Sequence, residues 1–88
     1  MSVLVRFAPA SLTAKQYDDV NAKLGDDSPD GREYHVCFGS DGNLRVSEIW
    51  DSREQVQAYG EHLMPVLAAA GINPGEPEFI EIHNIIRR

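Results

Sequence analysis

The chain has 88 residues, a formal net charge of −6 and a single cysteine, Cys37. This acidic balance argues against nucleic acid and anionic membranes as partners. No apolar run approaches the roughly 20 residues that span a bilayer, and the N-terminal residues lack the features of a secretory signal. One cysteine forms no disulfide within the chain, so we expect a reduced, cytoplasmic protein. A chain this short, with neither disulfides nor a cluster of metal ligands, needs another source of stability, and we expect it to come from oligomerisation.

The N-terminal third predicts a strand followed by a capped helix. Residues 2–8 alternate and are rich in β-branched side chains, and Pro9 ends the run. Thr13 and Gln16 have the spacing of a capping box, and Gly25 suits the left-handed residue that closes a helix. These signals predict a first strand over 2–8 and a first helix over 14–24.

The next two extended runs, 32–39 and 43–50, flank the dipeptide Asp41-Gly42 and predict an antiparallel hairpin. A two-residue type I′ turn at Asp41-Gly42 places His35 opposite Glu48. A three-residue loop with a bulge would place Tyr34 there instead and move every side chain to the other face. We favour the first register because Asp-Gly is a strong signal for a two-residue turn.

The C-terminal half predicts a second helix and a last strand. Asp51 or Ser52 can cap a helix that ends at Gly71, and Pro65 inside it predicts a kink or a break near Leu63. A loop rich in proline and glycine follows, and residues 78–86 predict strand four.

The resulting order βαββαβ predicts one α+β, ferredoxin-like domain over residues 1–88, a four-stranded antiparallel sheet with two helices on one face. The other sheet face is then uncovered. Strand three carries Trp50 on one face and Ile49 on the other, and strand four carries Phe79 and Ile80 in the same way. Because both faces are apolar, we expect two copies to stack their sheets into a homodimeric α/β barrel.

The run from Arg45 to Glu54 (RVSEIWDSRE), the helix ending Leu63-Met64-Pro65 and the final His83-Asn84 resemble the dimeric α/β-barrel superfamily. In particular they resemble small uncharacterised bacterial proteins near the antibiotic-biosynthesis-monooxygenase group. The resemblance covers nearly the whole chain and implies the fold and the dimer. The superfamily includes cofactor-independent monooxygenases, heme-degrading monooxygenases, isomerases and stress proteins. Heme-degrading relatives use an Asn on the first strand where this chain offers Arg6, so the resemblance does not extend to heme.

The predicted catalytic pair is His35 and Glu48, because a histidine held by a carboxylate can act as a general base. A purely structural role for His35 is the alternative. The predicted binding residues, placed in the barrel between the two sheets, are Trp50, His83, Arg6 and Tyr34. Trp50 can equally be a core aromatic, His83 can be a strand-end hydrogen-bonding group, and a buried Arg6 would need Glu48 or Glu81 as its partner.

The three histidines lie on different elements, and no metal-ligand, phosphate-loop or nucleophile motif is present, so the sequence predicts no metal and no cofactor. The first hypothesis is a homodimer that binds a small apolar or aromatic molecule in its barrel. The alternative is a cofactor-independent monooxygenase or isomerase that uses His35 inside the barrel. It requires a cavity of about 300 Å³ containing both His35 and Glu48, and a collapsed cavity or a His35 that points toward the helices would exclude it. A third hypothesis is a protein-binding subunit that pairs with a different chain.

Overall fold

The computed structural model describes residues 2–25 and 29–87. The elements are, in chain order, β1 Val3–Phe7, α1 Ala14–Leu24, β2 Arg32–Ser40, β3 Asn43–Trp50, α2 Arg53–Ala69 and β4 Glu78–Glu81. The four strands form an antiparallel sheet in the order β2-β3-β1-β4, and both helices pack on one face of it. This confirms the predicted α+β, ferredoxin-like fold. Neither helix of the described ranges is long and apolar enough to span a membrane.

Helix α1 begins as the sequence predicts and is tied to the hairpin. The Thr13 hydroxyl accepts from the Gln16 backbone N–H at 3.1 Å, and the Gln16 side chain accepts from the Thr13 N–H at 3.0 Å. The Asp41 carboxylate, at the hairpin tip, accepts from the Ala14 N–H at 2.9 Å. A side chain 27 residues away therefore caps the first turn of α1, which fixes this helix relative to β2 and β3.

The hairpin has the predicted register, and the His35–Glu48 pairing is confirmed. The predicted type I′ turn is wrong, because it requires positive φ at both central residues and only Gly42 has it, at 87°. The second positive φ, 109°, occurs at Gly39 just before the turn. A Cβ at Gly39 would lie 2.9 Å from the Asn43 carbonyl oxygen, so this position requires glycine. Asp41 is thereby spared the left-handed conformation that costs a non-glycine residue energy.

The predicted break in the second helix does not occur in α2. Ser52 is the N-cap and accepts from the Gln55 N–H, and the helix runs without interruption through Pro65. Pro65 deprives the Glu61 carbonyl of its helical partner. Both residues are exposed, so water can satisfy that carbonyl and no break is needed.

Strand β4 is shorter than the predicted 78–86 and covers only Glu78–Glu81. It is an edge strand that pairs with β1 alone, and its last pair joins Glu81 to Val3, the first residue of β1. Beyond Glu81, β1 offers no further partner within the described residues, so the ladder ends there.

The core lies between the sheet and the helices, in two clusters of buried side chains. One contains Val5, Trp50 and Val56, and the other contains Leu12, Val20 and Ile72. The opposite sheet face is uncovered and apolar. Its largest side chains are on β2, where Tyr34, Val36 and Phe38 are 57%, 38% and 44% exposed.

Candidate functional site

A cavity of about 330 Å³ lies between the sheet and the two helices. Its walls are mostly apolar and come from all four strands, both helices and the loops at one end of the sheet. The polar side chains that line it are Tyr17, Asn21, Arg32, His35, Glu48, Gln57 and Tyr59. An apolar enclosure with a few convergent polar groups is typical of a small-molecule site.

Glu48 is the buried centre of the polar cluster. Alternation along β3 turns it toward the helices, and its side chain is only 8% exposed. It accepts from His35 Nδ1 at 2.5 Å, from Trp50 Nε1 at 2.9 Å and from Arg32 Nη1 at 3.4 Å. Burial by itself would raise the pKa of Glu48. The hydrogen bonds from His35 and Trp50, together with the charges of His35 and Arg32, outweigh burial and hold that pKa below its ordinary value. The carboxylate is therefore ionised at neutral pH.

His35 connects Glu48 to helix α1. A carboxylate can only accept, so Nδ1 of His35 carries the hydrogen that points to Glu48. In the neutral imidazole Nε2 is then an acceptor, and it lies 2.6 Å from the Tyr17 hydroxyl, which donates to it. The planes of the two rings are nearly parallel, with an interplanar angle of 15°. The result is a chain of hydrogen bonds, Glu48–His35–Tyr17, along the cavity wall.

Three further side chains complete this end of the cavity. Trp50 is fully buried, and its ring centroid lies 5.7 Å from that of Tyr59 on α2. The Arg32 guanidinium lies 5.9 Å from the centre of the Tyr59 ring. Burial raises the pKa of Tyr59, although the charge of Arg32 acts in the opposite direction. Tyr59 is therefore a neutral hydroxyl group in the physiological range.

This arrangement can bind a flat ring and handle one proton. The aromatic and aliphatic walls favour an apolar ring, and Arg32 offers donors to an oxygen on it. Nε2 of His35, with its tautomer fixed by Glu48, is the basic atom of the site. Because that atom already accepts from Tyr17, a ligand hydroxyl can exchange a proton with it through the Tyr17 hydroxyl.

The structure brings together three of the six predicted site residues, His35, Glu48 and Trp50. Their predicted location, however, is wrong. They face the helices of their own chain, whereas the prediction placed them in a barrel between two sheets. The reason is that the buried face of β3 is the one that carries Val46, Glu48 and Trp50, and strand pairing puts His35 on the same face.

The other three predicted residues lie outside the cavity. Arg6 and Tyr34 are on the uncovered sheet face, where Arg6 pairs with Glu78 at 3.7 Å and not with the predicted Glu48 or Glu81. His83 follows the end of β4 and is exposed.

Sequence reasoning missed Tyr17 and Arg32 as site residues. Tyr17 has helical spacing with Val20 and Leu24, which is typical of an apolar stripe, and its hydroxyl is the one sequence signal that this position also needs a polar partner. Arg32 begins β2, where a β-bulge between Arg32 and Tyr34 returns its side chain to the helix face, and no sequence signal marks that bulge. Cys37 is partly buried, and this burial raises its pKa, so its thiol is protonated at neutral pH. In the described ranges no group of three His, Cys, Asp or Glu side chains could hold a metal ion.

The fold is shared with solved proteins, among them two presumed antibiotic biosynthesis monooxygenases. A protein named YJCS superposes with a TM-score of 0.66 at 9% identity, over 94% of this chain and 100% of that one. A presumed antibiotic biosynthesis monooxygenase from Deinococcus radiodurans gives 0.65 at 12% identity, over 100% and 98% of the two chains. Another presumed antibiotic biosynthesis monooxygenase, from Chloroflexus aurantiacus J-10-fl, gives 0.62 at 19% identity, over 94% and 96%. No protein-family profile matches the sequence, and no curated protein is significantly similar to it. Identities this low show the shared fold, and the predicted resemblance is confirmed at that level.

Proposed function

We propose that this protein binds a small aromatic molecule in the cavity between its sheet and its helices. The observation that carries the proposal is the enclosed volume of about 330 Å³ with apolar walls and one polar cluster. That volume is at the lower end of the range for small-molecule pockets and suits two or three rings. His35, Tyr17 and Arg32 would orient an oxygen substituent of the ligand. In line with the sequence prediction, we place this activity in the cytoplasm.

The test is a titration with 2-naphthol followed by the fluorescence of Trp50. Trp50 is the only tryptophan and lines the cavity, so a bound ring changes its emission. We expect saturable binding that Val46→Phe, which fills the cavity, weakens at least tenfold. The matched control is Val36→Phe, the same change on the uncovered face of the sheet, and its affinity should equal that of the wild type. Absence of saturable binding, or equal weakening by both variants, would refute the proposal.

Because His35 points toward the helices, the predicted catalysis inside a barrel between two sheets is excluded. A second candidate function is cofactor-independent oxygenation or isomerisation of such a molecule in the cavity under the helices, which holds both His35 and Glu48. The hydrogen bonds that link Glu48, His35 and Tyr17 favour this second function. Two proteins of the same fold are presumed monooxygenases. His35 would remove a proton from an acidic carbon or hydroxyl of the ligand through the Tyr17 hydroxyl, which gives its own proton to Nε2 and takes the one from the ligand. The resulting electron-rich anion either regains the proton at another atom or reacts with O₂. In the latter case a ring CH₂ becomes C=O, and the second oxygen atom leaves as water.

Oxygen consumption with a series of quinols and related aromatics tests the second function. We expect turnover that His35→Ala lowers by 10²- to 10⁴-fold, which is the usual contribution of a general base. His83→Ala is the control, because it removes an exposed histidine outside the cavity. Turnover that is equal in both variants would rule out His35 as the base.

We also propose that two copies of the chain pack through their uncovered sheet faces. Tyr34, Val36 and Phe38 form an exposed apolar patch on β2 at one edge of this face, and the Arg6–Glu78 pair lies on the two strands at the other edge. Light scattering should then give twice the mass of the 9.8 kDa chain. Phe38→Glu should shift the mass toward that of one chain, whereas Ala58→Glu, on the exposed side of α2, should not. A monomeric wild type would contradict this assembly.

A further inference from the structure

Gly60 lies in the middle of α2 and lines the cavity. A glycine inside a helix lowers its stability relative to alanine, so an interior glycine needs a reason. The chain has seven glycines, and six of them have positive φ, which L side chains rarely adopt. Gly60 is the exception. A Cβ built on it meets no atom within 4 Å. Neither backbone conformation nor crowding by the protein therefore requires glycine at this position.

The neighbours of Gly60 show what the open space is. Gln57 and Met64, one turn before and one turn after it on α2, line the cavity and are exposed. Asn21 on α1 also lines the cavity and is exposed. Side chains that are both cavity-lining and exposed mark a mouth of the cavity. One mouth is thus a gap between α1 and α2, and Gly60 forms the part of its rim that has no side chain. Pro77 and Gly75, in the loop before β4, also line the cavity and are exposed, and they mark a second opening.

We infer that Gly60 determines ligand specificity by leaving this mouth wide enough for an aromatic ligand to extend out between the helices. The inference rests on the proposed binding function and narrows it to ligands of two or more linked rings. One ring system lies inside, against His35 and Trp50. A second part of the ligand passes over Gly60, and any side chain at this position would occupy the space that this part of the ligand needs. The amides of Asn21 and Gln57 offer hydrogen bonds to a polar group on the protruding end.

The experiment compares a long probe, N-phenyl-1-naphthylamine, with a short one, 2-naphthol. Both are titrated against the wild type, Gly60→Leu and Ala58→Leu, the last being the same leucine on the exposed side of the same helix. We expect Gly60→Leu to weaken binding of the long probe at least tenfold and that of the short probe less than twofold. Ala58→Leu should change both affinities less than twofold.

Gly60→Ala covers the case in which the leucine variant does not fold. It improves helix propensity and meets no atom, so it should melt at a higher temperature than the wild type while binding the long probe about two- to threefold more weakly. The inference would be refuted, and the proposed binding function kept, if the folded Gly60 variants bound the long probe with unchanged affinity. The same holds if they lost affinity for both probes equally. If the wild type binds neither probe, the proposed binding function fails and the inference fails with it.

Discussion

Replacement of the buried carboxylate at position 48 should weaken the fold and remove part of its pH dependence. Glu48→Gln keeps the shape of the side chain but removes its charge. Its amide oxygen can accept from one of the two short donors, and the N–H₂ group then faces the other donor, from which it cannot accept. The short bonds from His35 and Trp50 are each made to a charged acceptor. Hydrogen bonds to charged groups contribute about 1.5–3 kcal/mol each, so losing one and weakening the other should cost about 2–3 kcal/mol. That is a large part of the roughly 4–13 kcal/mol expected for a domain of this size.

The pH dependence has a definite sign. The pKa of Glu48 is below its ordinary value of 4.5 in the folded protein. Its contribution to stability is therefore complete above that value and is lost as the pH falls through the lower, folded-state pKa. The difference in unfolding free energy between wild type and Glu48→Gln should be largest near pH 7 and shrink steadily as the pH falls below about 4.5.

Urea unfolding followed by circular dichroism measures both effects. The matched control is Glu78→Gln, because Glu78 also pairs with an arginine but is 63% exposed. Exposed pairs contribute about 0–1 kcal/mol, so the control should unfold nearly with the wild type. If Glu48→Gln and Glu78→Gln have the same midpoint, or if the difference at position 48 does not change with pH, Glu48 is not an ionised and paired carboxylate.

Three further substitutions test other parts of the structure by the same unfolding measurement. Val5→Ala deletes two methyl groups from a fully buried side chain and should cost about 2–3 kcal/mol; a cost below 1 kcal/mol would contradict its place in the core. Gly39→Ala forces a Cβ against the Asn43 carbonyl at positive φ and should cost about 1–3 kcal/mol, whereas a neutral result would exclude that backbone conformation. Asp41→Ala removes the cap on the Ala14 N–H and should cost about 0.5–2 kcal/mol, and an unchanged midpoint would show that this bond adds nothing.

The local signals predicted most of the elements and one cross-strand pair. The capping box at Thr13 and the turn at Asp41-Gly42 act over a few residues, so the start of α1 and the pairing of His35 with Glu48 follow from the sequence alone. The length of β4 could not be predicted from its own sequence, because it depends on how far its partner β1 extends. The continuity of α2 through Pro65 depends on which side of the helix faces solvent, and that is also set by packing.

The location of the site was the larger error, and its cause is physical. Both faces of the sheet carry apolar residues, so alternation alone could not show which face the helices cover. The covered face is the one that holds Val46, Glu48 and Trp50. When the helices cover this face, Tyr17 on α1 contacts His35. That contact joins residues 18 positions apart on different elements, and no periodicity within either element encodes it.

The attachment of α1 to the hairpin has a consequence for motion. Besides the Asp41 cap on Ala14, the Leu44 N–H donates to the Leu12 carbonyl at 3.1 Å. The start of α1 and the loop before it are therefore each held to the hairpin by one bond. Tyr17 lies in the first turn of this helix. We therefore expect the amides of α1 and of the hairpin to exchange with solvent in one cooperative opening, with similar protection and similar response to denaturant. Release of a bound molecule by detachment of α1 would require that whole opening. The faster route runs through the gap between the helices, with the fold intact.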